Sequence, residues 1–218
     1  MSHVAASVVQ HTGTFWSLDL DRRPIMTSSP ARLPATFLQA GPERAEELAM
    51  AMEVADPAVV MERFARGCQC YAAYLDGGKI LASYGWVSFK QEEIGELGLT
   101  IRLRARRAYI WDCATLPPYR GQRLYPALLV YMARVLREQG LRRLWIGADA
   151  SNYASRRGIE AAGFQAVADV TRIAGVEMKT RYLLRPRPDV PEEVLQDLCQ
   201  SLSHEVELVA PQGESRSA

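Results

Sequence analysis

Apolar and polar positions change rhythm along the chain, and each change predicts an element. Leu97, Leu99, Ile101 and Leu103 alternate with Glu96, Gly98, Thr100 and Arg102, the two-residue period of a strand with one buried face. From Leu124 the period lengthens. Leu124, Leu128, Leu129, Met132, Val135 and Leu136 recur at spacings of three and four, one face of a helix that Gly140 closes. Ahead of these, Ala35 to Gln39 reads as a short strand, and Gly41-Pro42 opens a helix with Glu43, Glu46 and Glu47 in its early turns. Asp56-Pro57 starts a second helix that ends at Gly67. Cys68 to Leu75 and Ile80 to Phe89 form a hairpin around Asp76-Gly77-Gly78. The apolar run Tyr109 to Thr115 is a strand stopped by Pro117-Pro118, which have no N–H to donate.

Beyond the long helix, a strand around Leu144, a helix between Asn152 and Ala162 and a sheet region from Val167 to Leu184 are expected. The pattern is that of a single α/β domain with a mixed sheet and flanking helices. It is expected to occupy residues 33–185, after an N-terminal arm at 1–32 and before an amphipathic helix within 186–209 and a polar tail at 210–218. Phe15, Trp16 and Leu18 point to partial order in the arm, packed on the domain or on a partner. The stripe Leu195, Leu198, Cys199 and Leu202 docks the last helix on the domain, with dimerisation the other option, so monomer and homodimer both stay open.

Charge and composition narrow the class. With 218 residues, 48% hydrophobic and 23% charged positions and a formal net charge of +1, no global field favours a nucleic acid or an anionic membrane. No secretory signal or membrane-spanning run is read, so a cytoplasmic location is expected. The basic cluster Arg102, Arg104, Arg106 and Arg107 reads as a solvated strand end. Four cysteines are expected to be reduced. Cys68-Gln69-Cys70 is too tight for a zinc knuckle, and the three histidines lie near the chain ends, so no metal site is expected.

Candidate chemistry concentrates between Tyr109 and Leu129. A strand, a short cationic turn and a helix N-terminus make an anion site, because the first turn of a helix has unpaired N–H groups and the positive end of its dipole. Arg120 and Arg123 add formal charge. The stretch resembles the GNAT acyltransferases, whose signature runs Arg or Gln, two variable residues, Gly, one variable residue, then Gly or Ala. Arg120 takes the first place, Gly121 and Gln122 the variable places, Arg123 the glycine place and Tyr125 the last. Asn152, Ser155, Gly163 and Phe164 match a second motif of that family.

The resemblance implies a sheet splayed at the cofactor strand and direct acyl transfer, acetyl above all, from coenzyme A to a primary amine. Acetyl-CoA or another acyl-CoA would lie against Cys113, Thr115 and Leu116, with its pyrophosphate on Arg120, Gly121, Gln122, Arg123, Leu124 and Tyr125, and Asn152 and Ser155 lining its other side. The family's usual acid, a tyrosine, is replaced by Ile159, and the place of its usual carboxylate base holds Tyr109. Asp112, on the same strand, and Glu96, on the strand expected beside it, are the catalytic candidates, directly or through water; the other reading of both is a structural carboxylate paired with arginines. An alkyl ammonium of pKa ~10.4 needs a base before it can attack. Cys113 is read as a buried strand thiol. The acceptor is open: small metabolite, amino sugar, antibiotic, peptide N-terminus or protein lysine. A non-catalytic acyl-CoA-binding or regulatory module is the alternative.

Overall fold

A computed structural model describes residues 9–22, 25, 31–95, 97–175 and 178–210. In chain order the elements are β1 (Val9–Asp19), β2 (Thr36–Ala40), α1 (Ala45–Ala51), α2 (Ala58–Ala65), β3 (Gln69–Leu75), β4 (Ile80–Ser88), β5 (Gln91–Ile94), β6 (Leu99–Arg102) and β7 (Arg107–Thr115), then α3 (Leu124–Glu138), β8 (Arg143–Asp149), α4 (Tyr153–Ala161), β9 (Gln165–Gly175), β10 (Met178–Pro186), α5 (Glu192–Ser201) and β11 (Glu207–Leu208). One sheet runs in the order β11-β10-β9-β1-β8-β7-β4-β3-β2, and β5-β6 form a separate hairpin.

The parallel pair β7–β8 is the feature on which the site depends. Parallel neighbours need a crossover, and α3 supplies it. Their register spans only Arg107–Ile110 against Arg143–Ile146. Past that point β7 stays paired with β4 through Thr115, while β8 pairs with β1 through Asp149. The sheet therefore splays, and β7 presents one unpaired edge from Trp111 onward. A bulge sits there as well: Trp111 and Ala114 pair with Trp86 and Tyr84, leaving Asp112 and Cys113 opposite Gly85 alone. Asp112 takes φ +42°. A Cβ on Gly85 would lie 2.6 Å from Cys113 Sγ and 2.7 Å from Met132 Cε, so glycine is what lets α3 and the bulge close on β4.

Residues 9–19, expected as part of an arm, are a strand between β8 and β9. Both of its faces are covered: Trp16 and Leu18 pack under α3 and α4, and Phe15 packs on the opposite face with Tyr109 and Trp145. Trp16 is fully buried, and deleting such a side chain costs about 3–5 kcal/mol. This strand is an integral part of the main sheet.

The alternating segment at 97–103 also departs from expectation. It is a strand over Leu99–Arg102, but its partner is β5 and not the main sheet. Leu99 and Ile101 are buried against Phe15, Trp145 and the apolar side of α5. Helix α5 is docked on the domain, pinned by the buried Asp197, which receives Arg107 Nε at 3.0 Å and Arg143 NH1 at 2.8 Å. Arg104, from the basic cluster, donates to Gln200 of the same helix. A third cluster packs α1 and α2 on β2–β4 around Leu48, Val60, Tyr74 and Trp86.

Candidate active site

Two cavities flank the splayed end of β7. The first is a groove of ≈ 880 Å³ between the free edge of β7, the N-terminus of α3 and the N-terminal half of α4. After Thr115 the chain makes a single 3-10 turn at Pro117–Tyr119 and enters α3 through Arg123, whose φ of +58° is left-handed. No side chain caps α3. Leu124 and Tyr125 thus offer N–H groups without an intrahelical partner, and Pro126 has none to offer. Arg32, Arg120, Arg123 and Arg157 line the groove, and among the described residues no carboxylate does. In a chain of net charge +1, that is a strongly one-sided local field.

The turn is braced from both ends. Arg120 Nε donates to Thr115 O at 3.1 Å, and the Arg32 N–H donates to Gln122 O at 2.9 Å. Asn152 Oδ1 accepts the Ser155 N–H at 3.0 Å and so caps α4, while Ser155 Oγ lies 3.3 Å from the Tyr125 hydroxyl. Of the expected cofactor residues, Cys113, Thr115, Arg120, Gly121, Arg123, Leu124, Tyr125, Asn152 and Ser155 line the groove. Leu116 and Gln122 do not. The Leu116 N–H is taken by Ala82 O at 2.9 Å and its side chain packs in the α1–α2 cluster; Gln122 turns its carbonyl to Arg32.

The second cavity, ≈ 520 Å³, lies on the other side of the splay. His11, Thr14, Arg63, Tyr109, Asp112 and Asp149 supply its polar wall. The two cavities meet on β7, where Asp112 lines one and Cys113 the other. Arg63 NH1 donates to Asp112 Oδ2 at 2.5 Å, and its guanidinium lies 4.5 Å from the centre of the Trp111 ring. The Trp111 indole N–H donates to Ser88 Oγ at 2.9 Å, and Ser88 donates to the buried Glu92 at 2.5 Å. Tyr109 lies in the floor, against the space beside Gly147.

Ionisation follows from these surroundings. Burial, then the Asp112 carboxylate, pushes the Cys113 thiol up, which makes it a poor nucleophile at neutral pH. Burial does the same to the Tyr125 phenol, with Cys113 a smaller contributor. The Asp149 carboxyl is held below its usual value by hydrogen bonds from the Ser151 hydroxyl and N–H, with His11 adding to them.

Asp112 lines the second cavity with one oxygen engaged by Arg63. Glu96 lies outside the described residues, and the strand that follows it is not a neighbour of β7 as expected. Ile159 is fully buried. His11, Arg63 and Asp149 were not singled out from sequence; Asp149 was legible only as the end of a strand. Among the described residues no cluster of His, Cys, Asp or Glu is placed to hold a metal, and all four cysteines are free. No described helix is long and apolar enough to cross a membrane.

No curated protein matches the sequence. Among solved structures, a GCN5-related N-acetyltransferase from Sphaerobacter thermophilus superposes with a TM-score of 0.54 at 15% identity, over 76% of this chain and 51% of its own. An acetyltransferase of the GNAT family from Colwellia psychrerythraea gives 0.52 at 15% identity, over 80% and 58%. The chain thus spans little more than half the length of these proteins, and the likeness is one of fold. The family model for the acetyltransferase (GNAT) family matches residues 39–164, from β2 to the residue before β9, and takes in the whole turn and both walls of the groove. The chain belongs to the acetyltransferase (GNAT) family.

Proposed function

We propose that the protein is an acyl-CoA-dependent N-acyltransferase, with acetyl-CoA as donor and a primary amine as acceptor. The observation that carries this reading is the groove lined by arginines, with no carboxylate among its described residues, that ends where β7 parts from β8, next to a second cavity with an acidic wall. The pyrophosphate belongs on the uncapped N–H groups of Leu124 and Tyr125, with Arg120 and Arg123 alongside. The pantetheine arm belongs along the free edge of β7, where backbone groups near Cys113 pair with it as a further strand would. One of those N–H groups then faces the thioester oxygen and stabilises the charge that develops during attack.

The amine enters from the second cavity. Asp112, held by Arg63, attracts the ammonium, and the proton is removed before attack. The amine nitrogen bonds to the thioester carbon, the C–S bond breaks, and the thiolate leaves. In the groove wall the Tyr125 phenol stays protonated at neutral pH and serves as a donor to that sulfur. The reading includes a cytoplasmic enzyme without a nucleic-acid partner, since Arg104 and Arg107 are committed to α5.

Thiol release from acetyl-CoA in the presence of alkylamines, polyamines, amino sugars and peptides with free N-termini tests the reading. Amine-dependent release supports it. Saturable binding of acetyl-CoA with no release from any amine supports instead a binding module, which the buried Ile159 in the usual tyrosine place favours.

A further inference from the structure

The acceptor cavity contains a histidine supplied by a strand that lies outside the family match. His11 is on β1, where its register partner is Arg172 on β9. Hydrogen bonds between Thr12 and Thr171 at 2.9 Å and from Thr14 to Asp169 at 2.6 Å lock β1 to β9 on either side of the cavity wall. On the opposite flank β1 pairs with β8, and the Ala150 N–H donates to Thr12 O at 2.9 Å. This brings Asp149, the last residue of β8, to the ring: its Oδ2 is 2.7 Å from His11 Nε2. The other oxygen, Oδ1, is fixed by the Ser151 N–H at 2.7 Å and by the Ser151 hydroxyl.

We propose that His11 is the base that takes the proton from the acceptor ammonium and that Asp149 is its positioning residue; the assignment rests on the transferase reading above. The His11 Nε2 is buried against Asp149, while 33% of the side chain remains open. An imidazole whose single proton sits on Nε2, the nitrogen beside the carboxylate, keeps its lone pair on Nδ1, and no hydrogen bond reaches Nδ1 among the described residues. Although Asp149 Oδ2 is 2.7 Å away, Nε2 makes no hydrogen bond in this structure. Catalytic hydrogen bonds commonly tighten only when substrate is bound. Asp112 is less suited to the task, because its Oδ2 already accepts from Arg63.

The charged and titratable groups around His11 are Asp149 on β8, Arg172 on β9, Tyr109 on β7 and, across the cavity, Arg63, Asp112 and Glu93. In the step itself, R–NH3+ gives one proton to Nδ1 and becomes R–NH2. The amine forms the C–N bond as the C–S bond breaks. The second nitrogen proton passes through water to the leaving thiolate, giving the free thiol, and the imidazolium returns its proton to solvent.

The test compares wild type, His11→Ala and Asp149→Asn with acetyl-CoA and the best amine of the panel. His11→Ala is expected to lower kcat by about 100-fold or more, to leave acetyl-CoA affinity by calorimetry unchanged, and to regain turnover with added imidazole. Asp149→Asn is expected to lower kcat less, without raising the KM for acetyl-CoA. Wild-type turnover in His11→Ala, or a loss that imidazole does not restore, overturns the assignment. Wild type that binds acetyl-CoA and turns over no amine overturns the transferase reading, and this assignment with it.

Discussion

The ring of Tyr125 occupies the space that a side chain on Gly158 would need: a Cβ built there would lie 2.4 Å from Tyr125 Cδ1. Helices α3 and α4 interlock through this pair, and the Tyr125 hydroxyl reaches Ser155 one turn away. The family's signature has a small residue at the α3 position. Here the large residue sits on α3, and the small one has moved to the facing helix.

Gly158→Ala should therefore cost about 1–3 kcal/mol in the wild-type background, the penalty of overpacking. In a Tyr125→Ala background the same change should be stabilising by up to about 1 kcal/mol, because alanine is the better helix residue. Denaturant unfolding of the four proteins of the cycle reads the reversal of sign.

Arg123 holds φ +58° at the start of α3, a conformation that costs a residue with a Cβ about 1–2 kcal/mol. Arg123→Gly should raise stability by roughly 1 kcal/mol, while Arg123→Ala, which keeps the strain, should not. If the guanidinium binds a phosphate, both variants lose CoA affinity and show a weaker salt dependence of binding than wild type. Calorimetry at two ionic strengths separates the two effects.

Acid should loosen the β1–β8 edge. Asp149 is lowered by its Ser151 hydrogen bonds and by His11. Asp19, despite a burial effect in the other direction, is lowered by N–H groups of Arg22 and Asp21 and by Arg143. A carboxyl lowered in the folded state stabilises above its unfolded value, ~3.9 for Asp, and that contribution is lost as pH falls through the folded value. Stability should fall below about pH 4, and Asp149→Asn should flatten the fall. Thermal unfolding between neutral and acid pH measures it.

Ser88 accepts the Trp111 N–H and donates to Glu92, and Trp111 lines the second cavity. Ser88→Ala removes the partner of the Trp111 indole N–H and of Glu92 Oε2, while Oε1 keeps Arg66 and the Glu93 N–H, at a cost of about 1–3 kcal/mol. If the cavity holds the acceptor, the variant should raise the amine KM more than the acetyl-CoA KM, a split that steady-state kinetics resolves.

How much of this was legible depended on what buries each residue. Helix α3 announced itself because one face alone is apolar, and the groove followed from the proline stop, the basic turn and the helix start, all contiguous in sequence. Strand β1 gave no such signal. Its residues from Gly13 to Leu18 are buried on both faces, so the alternation that marks a half-exposed strand is absent. Its partners, β8 and β9, lie far along the chain, and for the same reason His11 and Asp149 could not be paired from sequence. The period at 97–103 identified a half-buried strand correctly, but a period does not say what covers the buried side. The cover proved to be α5 and the outer face of the main sheet. The edge of the groove is sharper than the sequence shows: Thr115 lines it, and the N–H of the next residue, Leu116, returns to Ala82 of β4.

The central claim is that a CoA ester docks between the free edge of β7, the uncapped start of α3 and α4. Titration of the purified protein with acetyl-CoA, followed by calorimetry for wild type and for Arg120→Ala/Arg123→Ala, tests it most directly. Saturable one-to-one binding is expected, weakening with salt and at least tenfold weaker, about 1.4 kcal/mol, in the double variant. Absence of saturable uptake at millimolar ligand, or equal affinity in both proteins, would contradict it.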